Sequence, residues 1–158
     1  MKTNAKLAVE KTLEYLNIDS VGGDTKTIRE HIWKELETLG VERHRTKKGL
    51  VYATLRGKND SEHRVVTAHV DTLGAMVKEI LPNGRLRLSP VGGFAWGSVE
   101  GENLRVYTAD GTVITGTLLP DHASVHIYSD EVRNDVRDED TVSVRLDAKP
   151  KPKRILWR

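Results

Sequence analysis

From Asn4 to Leu16 apolar or small side chains recur every three or four residues, at Ala5, Ala8, Val9, Thr12, Leu13 and Leu16, with lysines and glutamates between them. That spacing gathers them on one face and predicts an amphipathic helix. A second stripe, Ile28, Ile32, Leu36 and Leu39, predicts another helix. Gly22-Gly23 and Asp24 precede it, Thr27 and Glu30 have the spacing of a capping box, and Gly40 supplies the stop. Trp33 lies beside the stripe and is expected to pack against neighbours. Beyond Gly40 the period changes to two. Val41–Arg45, Leu50–Arg56 and His63–Asp71 read as strands, separated by turn signals at Lys47-Lys48-Gly49 and Gly57-Lys58-Asn59-Asp60. The third is the most apolar and is expected to be a central strand. Two helices followed by such strands point to part of an α/β layered domain.

From Leu73 onward the pattern is strand and turn. Ala75–Leu81, Arg85–Ser89, Asn103–Thr108, Thr112–Leu119, Ser124–Tyr128 and Thr141–Asp147 are strand candidates, with Pro-Asn-Gly and Ala-Asp-Gly turns among them. This is the profile of a small β-barrel or sandwich. Ser129–Asp140, with six carboxylates and two arginines, is expected to be a solvated face, as a short helix or a loop. The last nine residues, Pro-Lys-Pro-Lys-Arg-Ile-Leu-Trp-Arg, cannot continue a strand ladder and are expected to form a basic tail at 150–158 without fixed structure.

Composition narrows the chemistry. With 158 residues, 37% hydrophobic and 30% charged, the chain is globular and holds one domain, or one and a piece of another. It has no cysteine, so any catalytic metal must be held by histidines and carboxylates. No apolar run is long enough for a membrane span and the N-terminus does not read as a signal peptide, so the expected location is the cytoplasm, with no membrane partner. The net charge of +2 comes from the tail: without Lys151, Lys153, Arg154 and Arg158 it is −2 for residues 1–149, which argues against a nucleic-acid partner.

Six histidines are present. His31, His44 and His63 fall in charged or edge positions and read as surface residues. His69 ends the most apolar strand candidate, two residues before Asp71. Ligands gather at the carboxyl ends of strands in α/β sheets, and a metal-bound imidazole needs a partner that fixes its tautomer. Alone, His-x-Asp is a weak signal, and a histidine satisfied at a strand end accounts for it better. His122 and His126, near Asp121, are expected to have structural or solvent roles.

The segment Val65-Val66-Thr67-Ala68-His69-Val70-Asp71-Thr72-Leu73-Gly74-Ala75-Met76-Val77 resembles the first metal-ligand motif of the glutamyl and tetrahedral aminopeptidase family of dinuclear metallopeptidases. Ile80-Leu81-Pro82-Asn83-Gly84-Arg85-Leu86 leading into Pro90-Val91-Gly92-Gly93, the stretch Asp110–Pro120, and Ser124-Val125-His126 are similar to the β-rich insert of that family. The likeness spans roughly residues 4–149. It implies an α/β fold: residues 1–73 as the N-terminal part of a metallopeptidase catalytic domain, two helices plus strands, and residues 74–149 as a partial, β-barrel-like dimerisation domain. It also implies His69 as a ligand to one of two divalent ions, zinc or cobalt, with Asp71 orienting it in the catalytic machinery. The substrates it implies are peptides, cleaved at their N-termini, and the expected assembly is a homo-oligomer formed through the β domain. The family's general base comes from a Glu-Glu pair, which this sequence lacks. Leu146-Asp147-Ala148-Lys149 is only superficially like the bridging-aspartate motif, and Asp147 is expected to be an ordinary strand residue. The chain therefore reads as an N-terminal fragment, inactive alone, with at most weak binding of a single ion. The competing reading is a non-enzymatic β-rich dimerisation or interaction module.

Overall fold

A computed structural model of the chain describes residues 4–59 and 61–148. The expected tail at 150–158 lies outside the described residues. The chain divides into two units, Met1–Leu73 and Gly74–Arg158. Together they make a mixed α/β fold, helices first and a curled sheet after.

In the first unit, helix α1 (Ala5–Leu16) starts where Asn4 Oδ1 accepts the Leu7 N–H at 3.2 Å. Helix α2 (Lys26–Thr38) begins ahead of the expected capping box, so Thr27 lies inside it and Thr25 is the N-cap. Glu30 is turned away to Arg45, 2.7 Å from its Nη1, because a guanidinium offers a stronger bond than a backbone N–H. Gly40 ends the helix at φ +66°. Strands β1 (Glu42–Arg45) and β2 (Val51–Thr54) form an antiparallel hairpin. Trp33 packs under the guanidiniums of Arg43 and Arg45, 4.5 and 4.6 Å from its ring, which joins α2 to β1.

The expected central strand at His63–Asp71 does not form. Residues 63–70 are assigned to no strand and pair with no described strand, and Val65 and Val66 are exposed. A ladder needs a neighbour on its edge, and apolar composition cannot supply one.

The second unit is a five-stranded antiparallel sheet in the order β3-β4-β7-β6-β5. Its strands are β3 (Gly74–Ile80), β4 (Leu86–Val91), β5 (Asn103–Tyr107), β6 (Val113–Pro120) and β7 (Val142–Leu146). Leu86, Leu88, Val106, Leu118, Val142 and Val144 make its core. Four strand pairs hold the sheet, but β4 and β7 share a single register pair, Leu86 with Val144, and β3 is bulged between Val77 and Glu79. These irregularities let the sheet curl into a half-barrel. Ser124–Tyr128, read as a strand, is instead the short helix α3 (Val125–Tyr128). Both edges of β6 are already taken by β5 and β7, so this segment meets its N–H groups locally, through Tyr128 N to Ser124 O at 2.9 Å. A second short helix, α4 (Glu131–Asn134), lies in the acidic stretch.

Candidate metal-ligand site

His69 and Asp71 are two residues apart, and their side chains meet. His69 Nδ1 lies 3.1 Å from Asp71 Oδ1, with the imidazole 83% and the carboxylate 54% exposed. The backbone between them is held from behind. The hydroxyl of Ser20, fully buried, donates to Val70 O at 2.7 Å, and Thr72 N donates to Ser20 O at 2.9 Å. Val21 and Thr72 form a parallel bridge. Ser20 thus sets the position of the His69–Asp71 pair, a role that sequence reasoning missed. Its only linear signal is a small polar residue at a helix-to-loop transition, which is too common to single out.

An ionised carboxylate only accepts hydrogen bonds, so Nδ1 is the donor in this pair and Nε2 of a neutral His69 carries the lone pair. Nε2 meets no other described residue. Nowhere among the described residues do three His, Asp or Glu side chains converge in a way that could hold a metal ion. The arrangement offers one oriented nitrogen donor, and no other described residue completes a coordination sphere.

The other candidates stand in ordinary contacts. His122 Nδ1 is 2.9 Å from Asp135 Oδ2, and its ring stacks on Tyr128 at 4.3 Å. His126 is exposed on α3. Asp121 is held by Arg87 Nη2 at 2.5 Å and accepts from Ser143 Oγ at 2.5 Å. Asp147 Oδ2 accepts from Thr115 Oγ1 at 2.7 Å across the β6–β7 ladder.

Residues 49–154 match the family described as M42 glutamyl aminopeptidase. The chain belongs to that family. Its His69–Asp71 pair and its whole half-barrel lie within the matched stretch. The sequence is 42% identical over 145 residues to "Putative aminopeptidase YhfE" of Bacillus subtilis (strain 168), covering 92% of this chain and 42% of that protein. The fold is that of the TET aminopeptidase from Thaumarchaeota archaeon SCGC AB-539-E09, with a TM-score of 0.72, 20% identity, and coverage of 89% of this chain and 39% of that one. It is likewise that of PhTET1-12s, a dodecamer, with a TM-score of 0.70, 22% identity, and coverage of 96% and 41%. The chain therefore spans about two fifths of the length of these M42 relatives. The match gives no support to the non-enzymatic reading. No helix among the described residues is long and apolar enough to cross a membrane.

Proposed function

We propose that this chain supplies part of a metal-dependent aminopeptidase that removes N-terminal residues from peptides, with His69 as a ligand to a divalent ion, zinc or cobalt, and Asp71 as the group that orients the imidazole. The observation that carries this reading is the 3.1 Å contact between His69 Nδ1 and Asp71 Oδ1 on an exposed segment inside the family match. Asp71 holds the ring in the tautomer a ligand requires, and Ser20 holds the backbone beneath it. Bound divalent ions would supply Lewis-acid activation for peptide-bond hydrolysis.

The donor set fits one ligand position and not a two-ion centre. A catalytic zinc normally takes three protein ligands, and the described residues bring only His69 to this place. No hydrolytic step is derived from them. On this reading the 158 residues bind a single ion weakly and do not turn over peptides by themselves. A homo-oligomer built through the second unit is part of the proposal, and the dodecameric state of the PhTET1-12s relative supports it. The cysteine-free composition fits work in the reducing cytoplasm.

The test is a zinc titration by calorimetry beside an aminopeptidase assay in saturating zinc or cobalt. The expected results are weak uptake of one ion, abolished in His69→Ala and weakened about 10-fold in Asp71→Asn, and no turnover. Metal-dependent peptide hydrolysis by the purified chain would overturn the claim of inactivity. Zinc uptake unchanged in His69→Ala would remove His69 from the ligand set.

A further inference from the structure

Most helices are held to their neighbours by a buried apolar face. Helix α1 is not. None of its residues is fully buried, and Val9, Leu13 and Leu16, from the stripe that predicts it, are 59%, 58% and 62% exposed. What joins it to α2 is a cluster of polar side chains: Lys11, Glu14 and Tyr15 of α1 against His31 and Glu35 of α2. Each carboxylate oxygen in the cluster has its own partner. Lys11 Nζ lies 2.8 Å from Glu14 Oε2 and 2.8 Å from Glu35 Oε1, Tyr15 Oη donates to Glu35 Oε2 at 2.5 Å, and Glu14 Oε1 faces His31 Nε2 at 2.8 Å. His31 reads from the sequence as a surface residue, yet its Nε2 is buried and makes no well-directed hydrogen bond to a described residue. Its contact with Glu14 therefore attracts chiefly through charge. The two carboxylates bring two negative charges, Lys11 brings one positive charge and the phenol of Tyr15 is neutral. A charged imidazolium at His31 balances the cluster, and a neutral ring leaves it one positive charge short.

We propose that His31 is a pH-operated latch: its imidazolium, set against Glu14, draws α1 onto α2 in mildly acidic solution, and loss of the proton loosens the helix as the pH rises. The His31 side chain is 34% exposed, so solvent can deliver and remove that proton. Lys11, and after it His31, hold the Glu14 carboxyl below its usual range, so Glu14 stays ionised across the interval in which an imidazole changes charge. The charged groups that face α2 from β1 are engaged elsewhere, Arg43 with Glu37 and Arg45 with Glu30. On α2 itself Lys34 is the remaining charged neighbour, three residues beyond His31. The direction follows from linkage. A contact that favours the charged ring stabilises the docked helix where the ring is protonated, and that contribution vanishes as the proton is lost. For a partly exposed pair the effect on docking is about three- to fivefold. The latch rests on these contacts alone and is independent of the aminopeptidase reading.

The experiment is amide exchange in the full chain at about pH 5.5 and about pH 8, read as protection relative to the unstructured rate at each pH so that the intrinsic pH dependence of exchange cancels. Protection of the α1 amides should fall about three- to fivefold from the lower pH to the higher. His31→Gln, which keeps a polar side chain but cannot charge, should show equal protection at both. Glu14→Gln, which keeps His31 and removes the charge it faces, should do the same. His44→Gln, on β1 beside Glu42, should retain the full change of the parent. Protection of α1 in the parent that is equal at the two pH values, or higher at the upper one, would overturn the latch. So would a change that persists in Glu14→Gln and His31→Gln, or one that His44→Gln abolishes. Should His31→Gln fail to fold, Glu14→Gln decides, because Glu14 is 39% exposed and its replacement leaves the buried nitrogen in place.

Discussion

Glu35 joins α1 to α2. Lys11 Nζ lies 2.8 Å from its Oε1, and Tyr15 Oη donates to its Oε2 at 2.5 Å. The ammonium and the phenol together hold the Glu35 carboxyl below its usual range. Burial, and then the hydrogen bond to the Glu35 carboxylate, push the Tyr15 phenol up to about 12. The signs differ. The depressed Glu35 stabilises the fold above the unfolded carboxylate value, and that contribution is lost as pH falls through the lower folded value. The raised Tyr15 contributes below the unfolded phenol value of 10, and its share is lost as pH climbs from there towards 12. In an ultraviolet titration one phenol should therefore ionise near pH 12, and Tyr15→Phe should remove that component. Persistence of the component in the variant would refute the assignment. Lys11 and Tyr15 share a helix face at i and i+4 and could be paired from the sequence. Glu35 could not be, because twenty residues and a turn separate it from Tyr15 and only packing brings them together. His69 and Asp71 were legible for the opposite reason: two residues apart in the chain, their contact is local.

The strands show how backbone contact limits what a position accepts. Gly116 sits on β6 opposite Leu146, and a Cβ there would meet Arg145 O at 2.7 Å and Val144 Cγ1 at 2.8 Å. Neither neighbour can yield, since one is backbone and the other belongs to the core. Gly116→Ala should cost about 1–3 kcal/mol in a urea titration. Gly93→Ala, where a Cβ has open space and φ needs no glycine, should be close to neutral. Equal costs at the two sites would disprove the close approach as the cause. Most strands of the second unit follow their period-two pattern, and the turns at Gly84 and Gly111 adopt positive φ as Asn-Gly and Asp-Gly turns do. The exceptions at Ser124–Tyr128 and His63–Asp71 have one cause. A strand is a relation between two segments, and the pattern of one segment does not say whether an edge is free to receive it.

Across the molecule the two units are unequally buried. Among the described residues the first has one fully buried apolar side chain, Ile28 at 0% exposure, while the second has the six-residue cluster around Leu86 and Val144. Amides of β4, β6 and β7 should accordingly exchange by global unfolding, and those of α1 and α2 through cheaper local opening. Native-state hydrogen exchange tests this, and equal protection of α2 and β7 would contradict it. Leu118→Ala should cost about 2–5 kcal/mol and Ile28→Ala should loosen chiefly the first unit. Helix positions, the alternation of the half-barrel strands, the turn glycines and the His69–Asp71 pair were already written in the order of residues, because each depends on spacings of a few positions. The sheet order, the buried Ser20 beneath Val70, the link from Glu35 to Tyr15 and the bare state of Val65 and Val66 came from the folded chain. Each depends on which distant segments share an edge or a face, and that is settled by packing.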